Sequence, residues 1–179
     1  MSHNDGEIGF FNDAAFEIAP KNSVVIEYAR KLGFDISEAD KKNASSSLVA
    51  HDLEESGYVS VKSNSYSIIA DLAFVGPNYQ PGHAHADTLS FELALYGQRI
   101  FVNSGISEYG LSKERIRQRK TAAHNTVSVN GLDSSQVWGG FRVAKRACIL
   151  DKSVEAVKNN SIRFSASHDG FKQQGVNCI

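Results

Sequence analysis

From residue 48 onward the sequence is a series of short runs rich in Val, Ile, Tyr and Phe, and turn-forming residues separate these runs. No helical stretch of the length that a parallel crossover connection requires lies between the runs. The pattern therefore predicts antiparallel strands. We expect strands at residues 57–62, 66–73, 88–95, 99–103, 126–129, 141–150, 154–157 and 162–167.

Two short turn signals support this prediction. Tyr96-Gly97-Gln98 lies between two of the expected strands, and Asn130-Gly131 follows a third. Both sequences are typical of tight turns, because Gly and Asn adopt left-handed backbone angles at little cost. The hydrophobic fraction of 41% is sufficient for a core at this chain length. We therefore expect a mainly β fold, an antiparallel sandwich or large sheet that is only partly complete.

The first part of the chain has a different character. Apolar side chains recur at helical spacing over residues 24–32, with Asn22-Ser23 before them and Gly33 after them. These signals predict a short α-helix that ends at Gly33. The mainly β fold is therefore expected to be preceded by a short α-helical segment.

The change of character predicts a division of the chain. Residues 35–47 are polar and rich in Ser, which is typical of a linker or an exposed loop. We expect a helical segment plus linker over residues 1–47 and a β domain over residues 48–179. The terminal sequence Gly-Val-Asn-Cys-Ile is an unusual end for a finished sheet, so we expect the β domain to be truncated at its C-terminus.

The charge pattern excludes some classes of partner. The formal net charge is −1, and the main basic run is KERIRQRK at residues 113–120. A nucleic-acid-binding face requires more concentrated positive charge, so we expect no nucleic-acid partner. No apolar stretch approaches the roughly 18 to 20 residues of a membrane helix, so we expect no membrane insertion. The first residues show no signal-peptide pattern, and the sequence alone gives no cellular location.

The segment His83-Ala-His85-Ala-Asp87 carries three side chains suited to binding or catalysis. If a strand begins this early, alternate residues share one face and all three side chains project together. Neutral imidazoles bind zinc, and carboxylates often orient them. His124 precedes another expected strand and is also flanked by small residues. The alternative is that these are ordinary loop histidines on the surface.

Longer motifs give a resemblance to a known family. They are GHAHADTLSFELALYGQRIFVNSG at 82–105, RQRKTAAHNTVSVNGLDSSQVWGGFRVAKRA at 117–147 and ASHDGF at 166–171. In order and spacing they resemble the C-terminal β-sheet domain of the heparinase II/III-like polysaccharide lyases. The earlier sequence DGEIGFFNDAAFEIAP, at 5–20, is similar to the tail of the helical toroid that precedes this domain. The chain is thus identified as an apparent fragment of such a lyase.

The resemblance implies an activity. Family members cleave acidic, uronate-containing polysaccharides by β-elimination, with a cleft between an α/α toroid and a β-sandwich. A base removes the proton α to a uronate carboxylate, and an acid protonates the leaving oxygen. Most catalytic groups come from the toroid, and the sheet domain supplies a histidine. We therefore expect an acidic polysaccharide partner, little or no lyase activity from this chain alone, and a periplasmic or cell-envelope location.

The resemblance also assigns residues. His83 matches the catalytic histidine that faces the cleft, while His85 and His124 match zinc-binding histidines. The third zinc ligand of the family is an aspartate, and this sequence has Asn103 at that position. Because an amide oxygen carries no charge, we expect a weaker zinc site formed by His85, Asn103 and His124. Asp87 matches a structural position in the family pattern, although its charge could compensate.

Two further residues are candidates for substrate binding. Tyr109 and Arg119 lie between the expected hairpin and His124, where substrate contact fits the resemblance. Exposed sheet edges would also favour self-association.

Two other functions remain open from the sequence. A non-catalytic module could bind acidic glycans through the basic side chains of residues 115–120. A cupin-like metal oxygenase could use a histidine pair on a strand, which requires Asp87 to converge with both His83 and His85.

Overall fold

The computed structural model describes residues 1–36, 48–157 and 161–176. Its main feature is an antiparallel sheet of five strands that lie in sequence order. These strands are β1 (Val49–Leu53), β2 (Tyr58–Lys62), β3 (Tyr66–Asp71), β4 (Phe91–Leu95) and β5 (Gln98–Phe101). The prediction of a mainly β, antiparallel fold with a short helix near the N-terminus is confirmed.

The register of the sheet follows from its turns. Tyr96 and Gly97 have φ angles of 50° and 78°, so the β4–β5 hairpin closes through two left-handed residues, as the sequence predicted. The edges of the sheet are β1 and β5, and the expected self-association through such edges stays a prediction. β1 was not predicted, because the polar His51-Asp52 pair interrupts its apolar pattern.

Two shorter ribbons follow the main sheet. β6 (Val137–Gly139) pairs with β7 (Arg142–Val143), and β8 (Ile149–Val157) pairs with β9 (Ser161–His168). The predicted strand at 141–150 is therefore wrong, because β7 and β8 are separate. Between them the backbone N–H of Ala147 donates to Ser135 Oγ at 2.9 Å, and that of Cys148 donates to Asp169 Oδ1 at 2.7 Å. These side-chain acceptors replace the strand ladder.

The predicted strand at 126–129 is also wrong. Asn130 and Gly131 form the expected turn with φ angles of 53° and 72°, but only one isolated bridge joins Val129 to Leu132. The segment is instead tethered by side chains, because the Thr126 hydroxyl donates to the carbonyl oxygen of Thr88 at 2.8 Å. A hydrogen bond of this kind holds the chain against the sheet without adding a strand to it.

One face of the main sheet is apolar. Val59, Val61, Ala70 and Leu72 form its buried cluster, and the β8–β9 ribbon packs against it through side chains that include Phe164. Because apolar surface removed from water contributes about 25 cal/mol per Å², this contact is the main source of stability for the second layer. The arrangement is a partial sandwich.

The opposite face of the sheet is polar, and the N-terminal segment, residues 3–13, covers it. Glu92 of β4 is fully buried. Its carboxylate accepts hydrogen bonds from the backbone N–H of Phe10 at 2.9 Å and of Asn103 at 3.0 Å, and it pairs with His3 Nε2 at 2.9 Å. A buried carboxylate is tolerated only when it is paired in this way. The N-terminal segment therefore packs as part of the sheet domain.

Helix α1 (Asn22–Lys31) follows the N-terminal segment. It ends as predicted at Gly33, whose φ is 86°, and the N–H of Phe34 donates to the carbonyl oxygen of Ala29 at 3.1 Å, which completes a Schellman cap. Within the described ranges, no helix is long and apolar enough to cross a membrane. The domain boundary expected at residue 47 stays a prediction, and residues 37–47 of the expected linker lie outside the described residues.

Candidate functional site

The His-Ala-His-Ala-Asp segment is a turn and loop, so the expectation of a shared strand face is wrong. His83 ends the 3₁₀ turn Pro81–His83, and β4 begins only at Phe91. Leu89 has a φ of 61°, a left-handed angle that interrupts an extended chain before the strand begins. His83 is consequently exposed, whereas His85 and Asp87 are buried.

His83 lies at the surface, where its side chain is 59% exposed. The Tyr109 hydroxyl is 3.4 Å from His83 Nδ1, and the Tyr109 ring stacks on Phe141 with 5.8 Å between the ring centroids. The guanidinium carbon of Arg115 lies 4.9 Å from the Tyr109 ring centroid, on the inner side of the same cluster. The predicted catalytic histidine and the predicted substrate-binding tyrosine are therefore neighbours, although their roles stay predictions.

Asp13 connects this surface to the interior. Its side chain is 7% exposed, and Oδ2 lies 2.7 Å from His83 Nδ1 while Oδ1 lies 2.9 Å from His85 Nε2. Arg115 donates to both carboxylate oxygens, at 2.7 and 2.8 Å. Burial raises the pKa of Asp13, but hydrogen bonds from His85, Arg115 and His83 outweigh this effect and hold the pKa well below its usual range.

Behind Asp13 lies a buried group that could hold a metal ion. It consists of His85, Asp87 and His124, whose ligand atoms lie within 4.8 Å of one another. The two imidazole centroids are 5.2 Å apart. Asp87 was assigned to a structural position from the resemblance, and the structure adds its carboxylate to the two predicted histidines.

The hydrogen bonding of this group fits a metal. His85 Nδ1 and His124 Nε2 are both buried and have no hydrogen-bond partner among the residues that the structure describes. Buried polar atoms rarely stay unpaired, and two neutral imidazoles with a carboxylate are a common zinc ligand set. Burial lowers the pKa of His124 to about 4, although the Asp87 carboxylate opposes this shift. His124 is therefore neutral at pH 7, as a metal ligand must be.

Asn103 lies beside the group and contacts one of its members. It is 1% exposed, and its Oδ1 is 3.3 Å from His124 Nδ1. An amide oxygen can only accept, so Nδ1 carries the proton and the unpartnered Nε2 carries the lone pair. This arrangement orients His124, as residues around metal ligands commonly do. The assignment of Asn103 as a ligand stays a prediction.

Arg119 is fully buried in the structure. Its guanidinium donates to the carbonyl oxygen of Ala84 at 2.7 and 3.1 Å, and also to that of Gly139. These contacts fix the backbone between the two histidines, which favours a structural role. Substrate contact by Arg119 stays a prediction.

The basic residues at 115–120 do not form one cationic surface. They belong to helix α2 (Lys113–Gln118) and its end, and Arg115 is buried with Arg119. Arg117 is exposed but pairs with Glu114 at 2.6 Å. The glycan-binding alternative therefore gains no support. The oxygenase alternative required three converging side chains, but His83 lies outside the buried group.

The sequence analysis assigned no functional role to Asp13 or Phe141, and it considered Arg115 only as one of the basic side chains of the glycan-binding alternative. A signal existed for Asp13, since Asn12-Asp13 is a polar pair that follows Phe10 and Phe11. Such a pair in an apolar run is typical of a buried polar contact. Nothing in the local pattern distinguished Arg115 from the exposed Arg117.

Comparison with known proteins identifies the family of this chain. The family model described as Heparinase II/III-like, C-terminal, matches residues 47–178. No curated protein matches the chain at a significant level. No solved structure does so either. The match covers most of the chain and contains both predicted zinc-binding histidines, so the chain belongs to the heparinase II/III-like family through its C-terminal domain.

Proposed function

We propose that this chain is a domain of a polysaccharide lyase that cleaves uronate-containing polymers by β-elimination. The observation that carries the proposal is the exposed His83, which lies beside Tyr109 and in front of the buried His85–Asp87–His124 group. An exposed imidazole held by a buried carboxylate is suited to general acid–base catalysis. The match to the heparinase II/III-like C-terminal domain supports this reaction class.

The proposed reaction breaks one carbon–oxygen bond of the polymer. A base takes the proton on the carbon α to the uronate carboxylate. The released electron pair forms a carbon–carbon double bond, and the glycosidic oxygen leaves from the neighbouring carbon with its bonding electrons. An acid then protonates that oxygen. Because His83 Nδ1 is engaged by Asp13, the remaining Nε2 is the atom through which His83 contacts substrate or moves a proton.

We propose that the metal is zinc and that His85, Asp87 and His124 hold it. All three residues are buried, so the site is closed to a polymer chain. Zinc bound there would supply structural cross-linking of the histidine loop, as closed zinc sites do. Protein residues also hold this loop. Asp13 contacts the ring of His85, and Arg119 donates to the backbone carbonyl oxygen of Ala84.

The test combines metal content with product formation. We would purify wild type, His83→Ala, His85→Ala and His51→Ala without a metal-affinity tag, and measure metals by elemental analysis. His51 is exposed on β1 and serves as the matched control. We expect zinc at about one ion per chain in wild type, His83→Ala and His51→Ala, and loss of zinc in His85→Ala. Iron instead of zinc, or no metal in wild type, would contradict the zinc assignment.

Product formation tests the reaction itself. Each variant would be incubated with a panel of uronate polymers, and unsaturated uronate would be followed by its ultraviolet absorbance. We expect little or no cleavage by wild type alone, because the resemblance places most catalytic groups in the toroid. Any rate that wild type shows should fall by about 10²-fold or more in His83→Ala and stay the same in His51→Ala. Retention of a polymer without any product would favour the binding module instead.

A further inference from the structure

Asp13 contacts both histidines of the His-Ala-His segment through different ring nitrogens. Oδ2 meets Nδ1 of His83 at 2.7 Å, and Oδ1 meets Nε2 of His85 at 2.9 Å. The two donors from Arg115 arrive at the same oxygens, at 2.7 and 2.8 Å. Because the Arg115 guanidinium donates to both oxygens in a bidentate pair, Asp13 is held as an ionised carboxylate.

An ionised carboxylate only accepts hydrogen bonds, so each contacting ring nitrogen must be a donor. The proton of neutral His83 is then on Nδ1, and the proton of neutral His85 is on Nε2. In a neutral imidazole the other nitrogen keeps a lone pair. The lone pairs are therefore on Nε2 of His83 and on Nδ1 of His85. The two rings are thus opposite tautomers.

The two lone pairs lie on opposite sides of the site, one buried and one exposed. His85 Nδ1 is buried, has no hydrogen-bond partner in the described part of the chain and belongs to the group with Asp87 and His124. The His83 side chain is 59% exposed, and no hydrogen bond to its Nε2 occurs within the described ranges. One lone pair is therefore available inward to a cation, and the other is available outward to a polymer.

We propose that Asp13 is a positioning residue that sets opposite tautomers on His83 and His85, so that a single carboxylate prepares one ring for metal and the other for substrate. The roles of these tautomers in catalysis and metal binding rest on the proposed function. The tautomers themselves follow from the contacts of Asp13 alone. Asp13 lies outside residues 47–178, which match the family model. The N-terminal segment therefore supplies a working part of the site.

Other contacts hold the N-terminal segment in place when the charge of Asp13 is removed, and Arg115 then keeps the carbonyl oxygen of Gly140 as an acceptor. Asn12 Oδ1 accepts from the backbone N–H of His85 at 3.2 Å, and Asn12 Nδ2 donates to the Tyr58 hydroxyl at 2.9 Å. Asp13→Asn keeps the shape of the side chain but replaces one accepting oxygen with a donating amide group. At least one histidine then faces a donor and must change its tautomer or lose the contact.

The experiment measures tautomers directly by long-range ¹H–¹⁵N NMR of the metal-free full chain, at a pH of about 8.5 where imidazoles are neutral. His83→Gln and His85→Gln assign the signals. We expect a protonated Nδ1 in His83 and a protonated Nε2 in His85 of wild type. Asp13→Asn should shift at least one ring toward the other tautomer. Asp5→Asn is the matched control, because Asp5 of the same segment pairs with Arg99 at 3.0 Å and leaves the histidines untouched.

A second measurement uses zinc alone. Loss of a carboxylate behind a metal-binding histidine typically weakens metal affinity by about 10- to 100-fold, so we expect that loss in Asp13→Asn and none in Asp5→Asn. A wild type with the proton on Nε2 of His83 or on Nδ1 of His85 would overturn the proposal. So would an Asp13→Asn variant that keeps the wild-type tautomers. If Asp13→Asn fails to fold, the wild-type spectrum still decides. Expected tautomers in a wild type without zinc or lyase activity would support this proposal and contradict only the proposed function.

Discussion

Replacement of Arg119 with lysine distinguishes a structural arginine from one that contacts substrate. The buried guanidinium donates to the Ala84 carbonyl oxygen from Nε at 3.1 Å and from Nη2 at 2.7 Å, and to the Gly139 carbonyl oxygen from Nη1. Since Ala84 lies between the two histidines and Gly139 ends β6, this side chain joins the histidine loop to a separate ribbon.

The magnitude follows from what lysine cannot replace. A lysine ammonium is a compact group that lacks the planar fork needed to serve both carbonyls. A buried carbonyl that loses its donor costs about 1–3 kcal/mol, and a hydrogen bond from a charged donor contributes about 1.5–3 kcal/mol. We therefore expect Arg119→Lys to lower the free energy of unfolding by about 3 kcal/mol. With a urea m-value of about 2 kcal/mol/M, the unfolding midpoint falls by about 1.5 M.

The assay is urea unfolding at pH 7, followed by circular dichroism. Arg117→Lys is the matched control, because it makes the same change two residues earlier, at a side chain that is 61% exposed. We expect this control to keep the wild-type midpoint. An Arg119→Lys variant with the wild-type midpoint and weaker retention on an acidic polymer would refute the reasoning, since it would show an arginine that contacts substrate.

Two further predictions concern pH and backbone geometry. The pKa of His124 is lowered from 6.5 to about 4 in the folded protein. As the pH falls, the unfolded state therefore takes up this proton before the folded state does. The free energy of unfolding of the metal-free protein should fall by up to about 3 kcal/mol between pH 6.5 and about pH 4. His168, whose pKa burial also lowers, adds to this trend, and His124→Gln should make the measured slope shallower. Gly57 and Gly97 both have a φ of 78°, but their surroundings differ. A Cβ added to Gly57 would lie 2.4 Å from Ala73 Cα, whereas a Cβ added to Gly97 would have no described atom within 4 Å. Gly97→Ala should therefore cost about 1–2 kcal/mol of strain, and Gly57→Ala should cost about 1–3 kcal/mol more in urea unfolding; equal losses would contradict this.

The parts of the fold that the sequence predicted are those with local causes. Strands β2 to β5 are short runs with apolar residues, bounded by turn residues, and the Tyr96-Gly97 turn and the cap at Gly33 depend only on nearby backbone angles. The two wrong strands depended on distant partners. Whether residues 126–129 pair is decided by Thr88, which holds them by a side-chain hydrogen bond.

The site was predicted in part for the same reason. Histidine is recognisable by its chemistry, so His83, His85 and His124 were found from residue type and motif. Asp13 was missed because it lies 70 residues before His83 in the sequence, and no local pattern shows that the two side chains meet. Asp87 was given a structural role from the resemblance, whereas the structure places its carboxylate in one group with His85 and His124.

The N-terminal segment links the polar sheet face to the site. Glu92 and the Asp13–Arg115 pair are buried charges, and buried charges cost several kcal/mol unless partners compensate them. For Glu92 the partners include His3 and the backbone of Phe10, and for Arg115 the partner is Asp13 itself. The N-terminal segment therefore compensates both buried charges, and through Asp13 it also holds both rings of the histidine loop. The geometry of this site is consequently a property of the N-terminal segment and the family-matched domain folded together.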